Sequence, residues 1–130
     1  MRDPTEFLLR GREAAEFLMF ETCTASRPGV PFTDPDGIVT SPLSTVYTGI
    51  CKVQATVAQA ASPVAGGHAF TVENLQLHFP VGSGVVTGDS ALITSSRMDE
   101  SNVGLAFRLV ELARGSQRTA ARWNVELVTA

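Results

Sequence analysis

Two cysteines and two histidines are the side chains here that could serve as nucleophile, base or metal ligand, and their spacing limits that chemistry. Cys23 and Cys51 lie in separate strand-like runs without a Cys-x-x-Cys spacing, so neither zinc nor thioredoxin-type chemistry has its usual pattern. They read as small buried hydrophobes, and a bond between them stays open if their strands pair. His68 and His78 fall in or beside one strand, on one parity if it is regular, but no Asp or Glu stands at ligand or triad spacing with them. Gly82-Ser83-Gly84 has the glycines of a phosphate cradle without the downstream Lys-Ser/Thr or a following helix, so a strand-to-strand loop explains it better. Arg114, Arg118 and Arg122 form a local basic cluster at the last turn, read as a solvated turn that could touch DNA or an acidic partner. No catalytic constellation emerges, so the expectation is a non-enzyme with no metal and no cofactor.

The first element expected to position these residues is an amphipathic helix over residues 4–20. Asp3 suits the cap, Pro4 the first helical position, and Glu6 the return contact of a capping box. Glu6 with Arg10 and Arg12 with Glu16 are four apart, while Phe7, Gly11, Ala14, Ala15 and Leu18 draw an apolar stripe at helical spacing. The run Phe17-Leu18-Met19-Phe20 is apolar nearly all round, more than one small core can cover. Phe17, Met19 and Phe20 are therefore candidate subunit contacts, against the alternative of a helix end tucked into its own core.

Beyond Glu21 the period shortens to two. Residues 27–43 hold Asp34-Pro35-Asp36-Gly37, a turn in a proline-rich run, and read as a protruding loop or hairpin arm with Phe32 as an interface anchor. Thr45 to Gln54 is a strand with Tyr47, Cys51 and Val53 on one face and Gly49 marking a bulge or a close approach. Ala55 to Gly67 lacks charge and reads as a mobile loop. Phe70 to Phe79 changes parity, which predicts a bend near Glu73-Asn74. Residues 85–94 and 105–110 give further strands, and Ala121, Trp123, Val125 and Leu127 alternate most cleanly of all, placing Trp123 inside.

Five or six strands behind one helix predict a mainly β (α+β) fold: a small antiparallel β-barrel preceded by an N-terminal amphipathic helix, its strands within 22–54 and 68–129. At 130 residues one domain, 1–130, is expected, large enough for a core without disulfide or metal. A net charge of −3 and a low overall charge density argue against a nonspecific nucleic-acid binder. A small barrel stacking bases on exposed aromatics beside arginines is the alternative. The apolar runs are short and the opening is mixed in charge, so a cytoplasmic protein with no membrane partner is expected.

Four motifs in order carry a resemblance. Arg10 to Glu16 matches a helix of the Arg-Gly-Arg-x-Ala-Ala-Glu kind. Thr22-Cys23-Thr24 and Tyr47 to Gln54 match a Thr-Cys-Thr strand and a Tyr-x-Gly-x-Cys-x-Val-Gln strand, and Arg122 to Glu126 matches an Arg-x-x-Val-Glu ending. The set resembles the head-to-tail stopper (head completion) family of actinobacterial long-tailed bacteriophages. That resemblance implies a structural virion protein of the head-tail connector, assembled in the host cytoplasm as a homo-oligomeric ring below the portal and adaptor proteins. The ring would close the channel on packaged DNA and dock the tail terminator or tail tube proteins. It further implies that the segment after Gln54, Ala58, Gln59, Ala60, Ala61, Ser62, Pro63 and Val64, is the channel-closing loop, and its small uncharged residues suit that task. Gly104-Leu105-Ala106 departs from the family, standing where relatives often carry a Gly-Arg pair.

Overall fold

The computed structural model describes residues 3–59 and 71–128. Asp3 caps the helix α1 (Pro4–Phe17), its carboxylate accepting from the Thr5 N–H at 2.9 Å, with Pro4 at the first helical position. Glu6 pairs with Arg10 across one turn at 4.0 Å, an exposed pair worth a few tenths of a kcal/mol, about 0.3–0.5. Arg12 does not pair with Glu16 as its spacing suggests; its Nε donates to the Arg118 carbonyl at 3.0 Å. The helix also ends earlier than expected, at Phe17 rather than residue 20. Leu18 and Met19 N–H groups close the last turn on Ala15 and Glu16, and the chain turns away because Met19 enters the interior at 5% exposure.

The strands are β1 (Glu21–Pro28), β2 (Phe32–Thr33), β3 (Val39–Thr40), β4 (Leu43–Gln59), β5 (Thr71–Phe79), β6 (Ser90–Ser96), β7 (Ala106–Leu112) and β8 (Ala121–Val128), with a 3-10 turn at Glu100–Asn102. Six of them form one antiparallel sheet in the order β1-β4-β5-β8-β7-β6, and β6 pairs back onto β1, so the sheet closes on itself. The predicted mainly β fold with one leading helix is present. Period-two burial runs through it: Glu21, Cys23 and Ala25 on β1, Ala91 and Ile93 on β6, Phe107 and Leu109 on β7 point inward in turn. Leu77, Phe79 and Trp123 complete the core. Trp123 is inside as its pattern predicts, though its indole N–H finds no acceptor among the described residues.

Closing so few strands demands sharp local bends, and three extra residues supply them. Val46 is left over between the Tyr47–Ala25 and Thr45–Ser26 pairs, Thr94 between Ser95–Thr22 and Ile93–Cys23, and Val110 between Leu109–Val125 and Glu111–Asn124. The bulge in β4 thus falls at Val46, not at Gly49, where the other expectation, a close approach, holds. A side chain on Gly49 would place its Cβ 2.8 Å from the Tyr47 hydroxyl.

Two expectations about β4 and β5 need correction. Residues from Ala55 do not begin a loop: β4 continues to Gln59, with Ala58 paired to Val72 and Gln59 to Thr71. Ala60, Ala61, Ser62, Pro63, Val64 and His68 lie outside the described residues. No bend interrupts β5 near Glu73-Asn74 either, since its register with β4 is regular from Thr71 to His78. Residues 27–43 do form a hairpin, β2–β3, but its base is drawn in: Arg27 and Pro28 belong to β1 and Leu43 to β4. Asp34 shapes its tip, its carboxylate accepting from the N–H groups of Asp36 and Ile38, both at 2.9 Å.

Candidate functional site

The candidate nucleophiles meet, but only each other. Cys23 and Cys51 sit on neighbouring strands facing inward, both 0% exposed, as free thiols. A hydrogen bond with Cys23, and then burial, push the Cys51 thiol far above the usual range, which disfavours its thiolate. His78 lies on the other face of the sheet, its Nε2 3.2 Å from the Gln76 side-chain oxygen, with Lys52 and Arg122 directly opposite on β4 and β8. Burial and the charges of Arg122 and Lys52 push its pKa down to about 4. Cysteine and histidine thus stand on opposite faces of one sheet and form no dyad. Among the described residues no three His, Cys, Asp or Glu side chains gather as a metal-binding group.

A cavity of about 520 Å³ opens between the paired strands β4–β5 and β7–β8, where β5 and β8 part beyond the Gln76–Asn124 pair. Val53, Leu75, Leu105, Phe107 and Leu127 line it, and Asn102 is its one polar side chain among those described. Such a lining can hold apolar matter but offers neither base nor nucleophile. Leu127, expected inside, sits on this rim at 45% exposure because the sheet splays there.

An ion pair with a buried carboxylate escapes sequence reasoning. Asp89 is 0% exposed and binds Arg27 bidentately, Nε to Oδ1 at 2.9 Å and Nη2 to Oδ2 at 3.0 Å, while the Val86 N–H donates to Oδ2 at 2.8 Å. Burial raises the Asp89 pKa, but the Arg27 and Val86 hydrogen bonds outweigh it and hold the carboxyl below its ordinary value. Arg27 Nη2 also reaches the Gly84 carbonyl at 3.1 Å, so the pair ties the root of the β2–β3 hairpin to the turn before β6. Turn residues at 87–89 are visible in the sequence; a partner so distant is not.

The predicted contact residues divide. Phe17 is 79% exposed and Leu18 is exposed beside it. Met19 is a core residue, so the expectation that it is free for a subunit contact is corrected. Phe20 is half-buried beneath Arg97, whose guanidinium stands 5.5 Å from the ring centre and whose N–H donates to the Phe20 carbonyl. Phe32 is 54% exposed on the hairpin, with Val30, Ile38, Val39 and Leu43 also exposed around it. No residue of α1 is buried. The helix stands on the sheet through few contacts, chiefly Arg12 with Arg118 and the close approach of Gly11 to Thr119.

Among the described residues no helix is long and apolar enough to cross a membrane. No curated protein matches the sequence. One family model does, from Gly11, where α1 meets the β7–β8 connection, to Glu126 near the end of β8. With residues 11–126 matched, the chain belongs to DUF6093, a family of unknown function.

Proposed function

We propose that this chain is a structural subunit of a bacteriophage head-to-tail connector, a small β-barrel protein that assembles into a homo-oligomeric ring below the portal and adaptor. In that place the ring closes the DNA channel and presents a face to the tail terminator or tail tube. The observation that carries the reading is the apolar surface left uncovered at two separate places, the end of α1 at Phe17 and Leu18 and the hairpin around Phe32. Covering one such side chain is worth about 1.5–3 kcal/mol, and two unlike patches on one chain suit head-to-tail contacts that close into a ring. The first half of β4, Leu43–Ile50, supports it too: β1 runs along one edge, and no strand runs along the other among the described residues. The ordered resemblance of Arg10–Glu16, Tyr47–Gln54 and Arg122–Glu126 to head-to-tail stoppers selects this assembly over others, and the role calls for no catalysis.

The test is the mass of the purified full chain, alone and with portal and adaptor proteins, by mass photometry. Rings are expected in at least the second condition, and Phe17→Asp or Phe32→Asp should leave a folded chain that fails to enter them. A monomer under every condition, or normal incorporation of both variants, would overturn the proposal.

A further inference from the structure

The connection between β7 and β8, residues 113–120, concentrates positive charge in a chain whose net charge is −3. Arg114, Arg118 and Arg122 line one cavity of about 200 Å³ there, together with Gly115 and Ser116. Arg12 reaches the same segment from α1 through the Arg118 carbonyl. The ion pairs among the described residues join Arg10 to Glu6, Arg27 to Asp89 and Arg108 to Glu126, so these four arginines have no carboxylate partner there. The chain carries 13 acidic residues for 10 basic ones, yet among the described residues none forms an ion pair with these arginines.

One atom identifies what is missing. Arg118 Nε is shielded from solvent and has no hydrogen-bond acceptor among the described residues. A charged donor left unsatisfied is costly, and since Arg118 lines the cavity, a small turn of its side chain would let a bound anion supply the acceptor. The segment is held in shape to receive one. Arg122 Nη2 approaches the Thr119 hydroxyl at 3.4 Å, the Ala113 N–H donates to the Arg122 carbonyl at 2.8 Å, and Gln117 occupies the left-handed region at φ 57°. Planar guanidinium forks match pairs of phosphate oxygens, and a cavity this small admits a single phosphate group rather than an extended ligand.

We infer that the β7–β8 connection is a phosphate-binding site, in which Arg114, Arg118 and Arg122 hold one phosphate group carried by a small compound or by a nucleic-acid backbone. The site is complete within one chain and does not depend on assembly.

Titrating inorganic phosphate into the isotope-labelled full chain, at ionic strength held constant with sodium chloride, should move the amide resonances of residues 113–120 saturably. Arg118→Gln and Arg114→Gln should each weaken binding by about tenfold or more, whereas Arg108→Gln, whose partner is Glu126, should bind as the parent does. A short oligothymidine in competition separates the sources. Displacement of phosphate assigns a backbone phosphate, and phosphate binding without displacement assigns a small phosphate compound; either sustains the site. Shifts that only track salt, or saturable binding unchanged in both Arg118→Gln and Arg114→Gln, would overturn it.

Discussion

Tyr47 lies back along its own strand over Gly49, and its hydroxyl donates to the Ile50 carbonyl at 2.6 Å. The absent Gly49 side chain is what makes room, and the ring then meets Phe79 edge-on with centroids 5.5 Å apart. Burial, followed by the nearby Cys23, Cys51 and Glu16, pushes the phenol pKa up to about 12. Because the chain has a single tyrosine, its ultraviolet titration reports this site alone. The midpoint should fall near 12 rather than at the ordinary value of about 10. Gly49→Ala should displace the ring and bring the midpoint back toward that value, and Tyr47→Phe should cost about 1 kcal/mol by losing the hydrogen bond. An ordinary midpoint in the parent chain would contradict the packing described.

The Arg27–Asp89 pair should behave as a unit. Asp89→Asn should destabilise the chain by about 2–3 kcal/mol, below the full cost of breaking an enclosed ion pair because Arg27 is partly solvated. Combined with Arg27→Ala, a double-mutant cycle from urea unfolding should return a coupling of about 1–3 kcal/mol. The sign with pH follows from the depressed folded pKa: the contribution is complete above the unfolded carboxylate value of about 3.9 and drains away as pH falls below it. Additive single effects would remove the pair from the account of stability.

His78 acts on a different part of the pH scale. In the unfolded chain it takes up a proton near about pH 6.5, whereas burial and the charges of Arg122 and Lys52 delay this to about 4 in the folded one. The unfolded state therefore binds more protons between those values, and stability falls as pH drops across that window. Replacing His78 with Gln should flatten the slope of unfolding free energy against pH there. A slope identical in parent and variant would show that the imidazole takes up its proton at the same pH in both states.

Met19 and Phe17 should separate folding from assembly. Placing Asp at Met19 buries an unpaired carboxyl group and should cost more than about 3 kcal/mol, visible as a lowered melting temperature. The same change at the exposed Phe17 should stay within about 0.5 kcal/mol of the parent. Equal melting temperatures for the two variants would contradict the placement of Met19.

What was readable in the residues is whatever depends on near neighbours. Asp3 and Pro4 announce the helix start because capping is local, but the helix end is not announced: no Gly or Pro stops it, only the entry of Met19 into the core. Alternation located β8 and put Trp123 inside, since one face of that strand is apolar. It misled at β5, where Leu75, Leu77 and Phe79 carry the core parity and the strand runs straight through Glu73 and Asn74. The bulges at Val46, Thr94 and Val110 have no turn residue to mark them, for they arise from closing the sheet. Asp89 reads as one more turn residue because its partner lies 62 positions away. The arginines of the last turn are legible as a cluster, yet only folding brings Arg12 to them and shuts Arg118 Nε from water.

The length of β4 has a mechanical consequence. Its 17 residues span roughly 55 Å, and its neighbours divide it, β1 taking Leu43–Cys51 and β5 taking Lys52–Gln59. The hairpin joins Pro28 of β1 to Leu43 of β4, so a pull on it along the strands draws both arms together and shears not their own eight pairs but the β1–β6 and β4–β5 ladders on either side. The hairpin is a stiff handle: tension applied at Leu43 passes down one unbroken backbone to the far rim at Gln59.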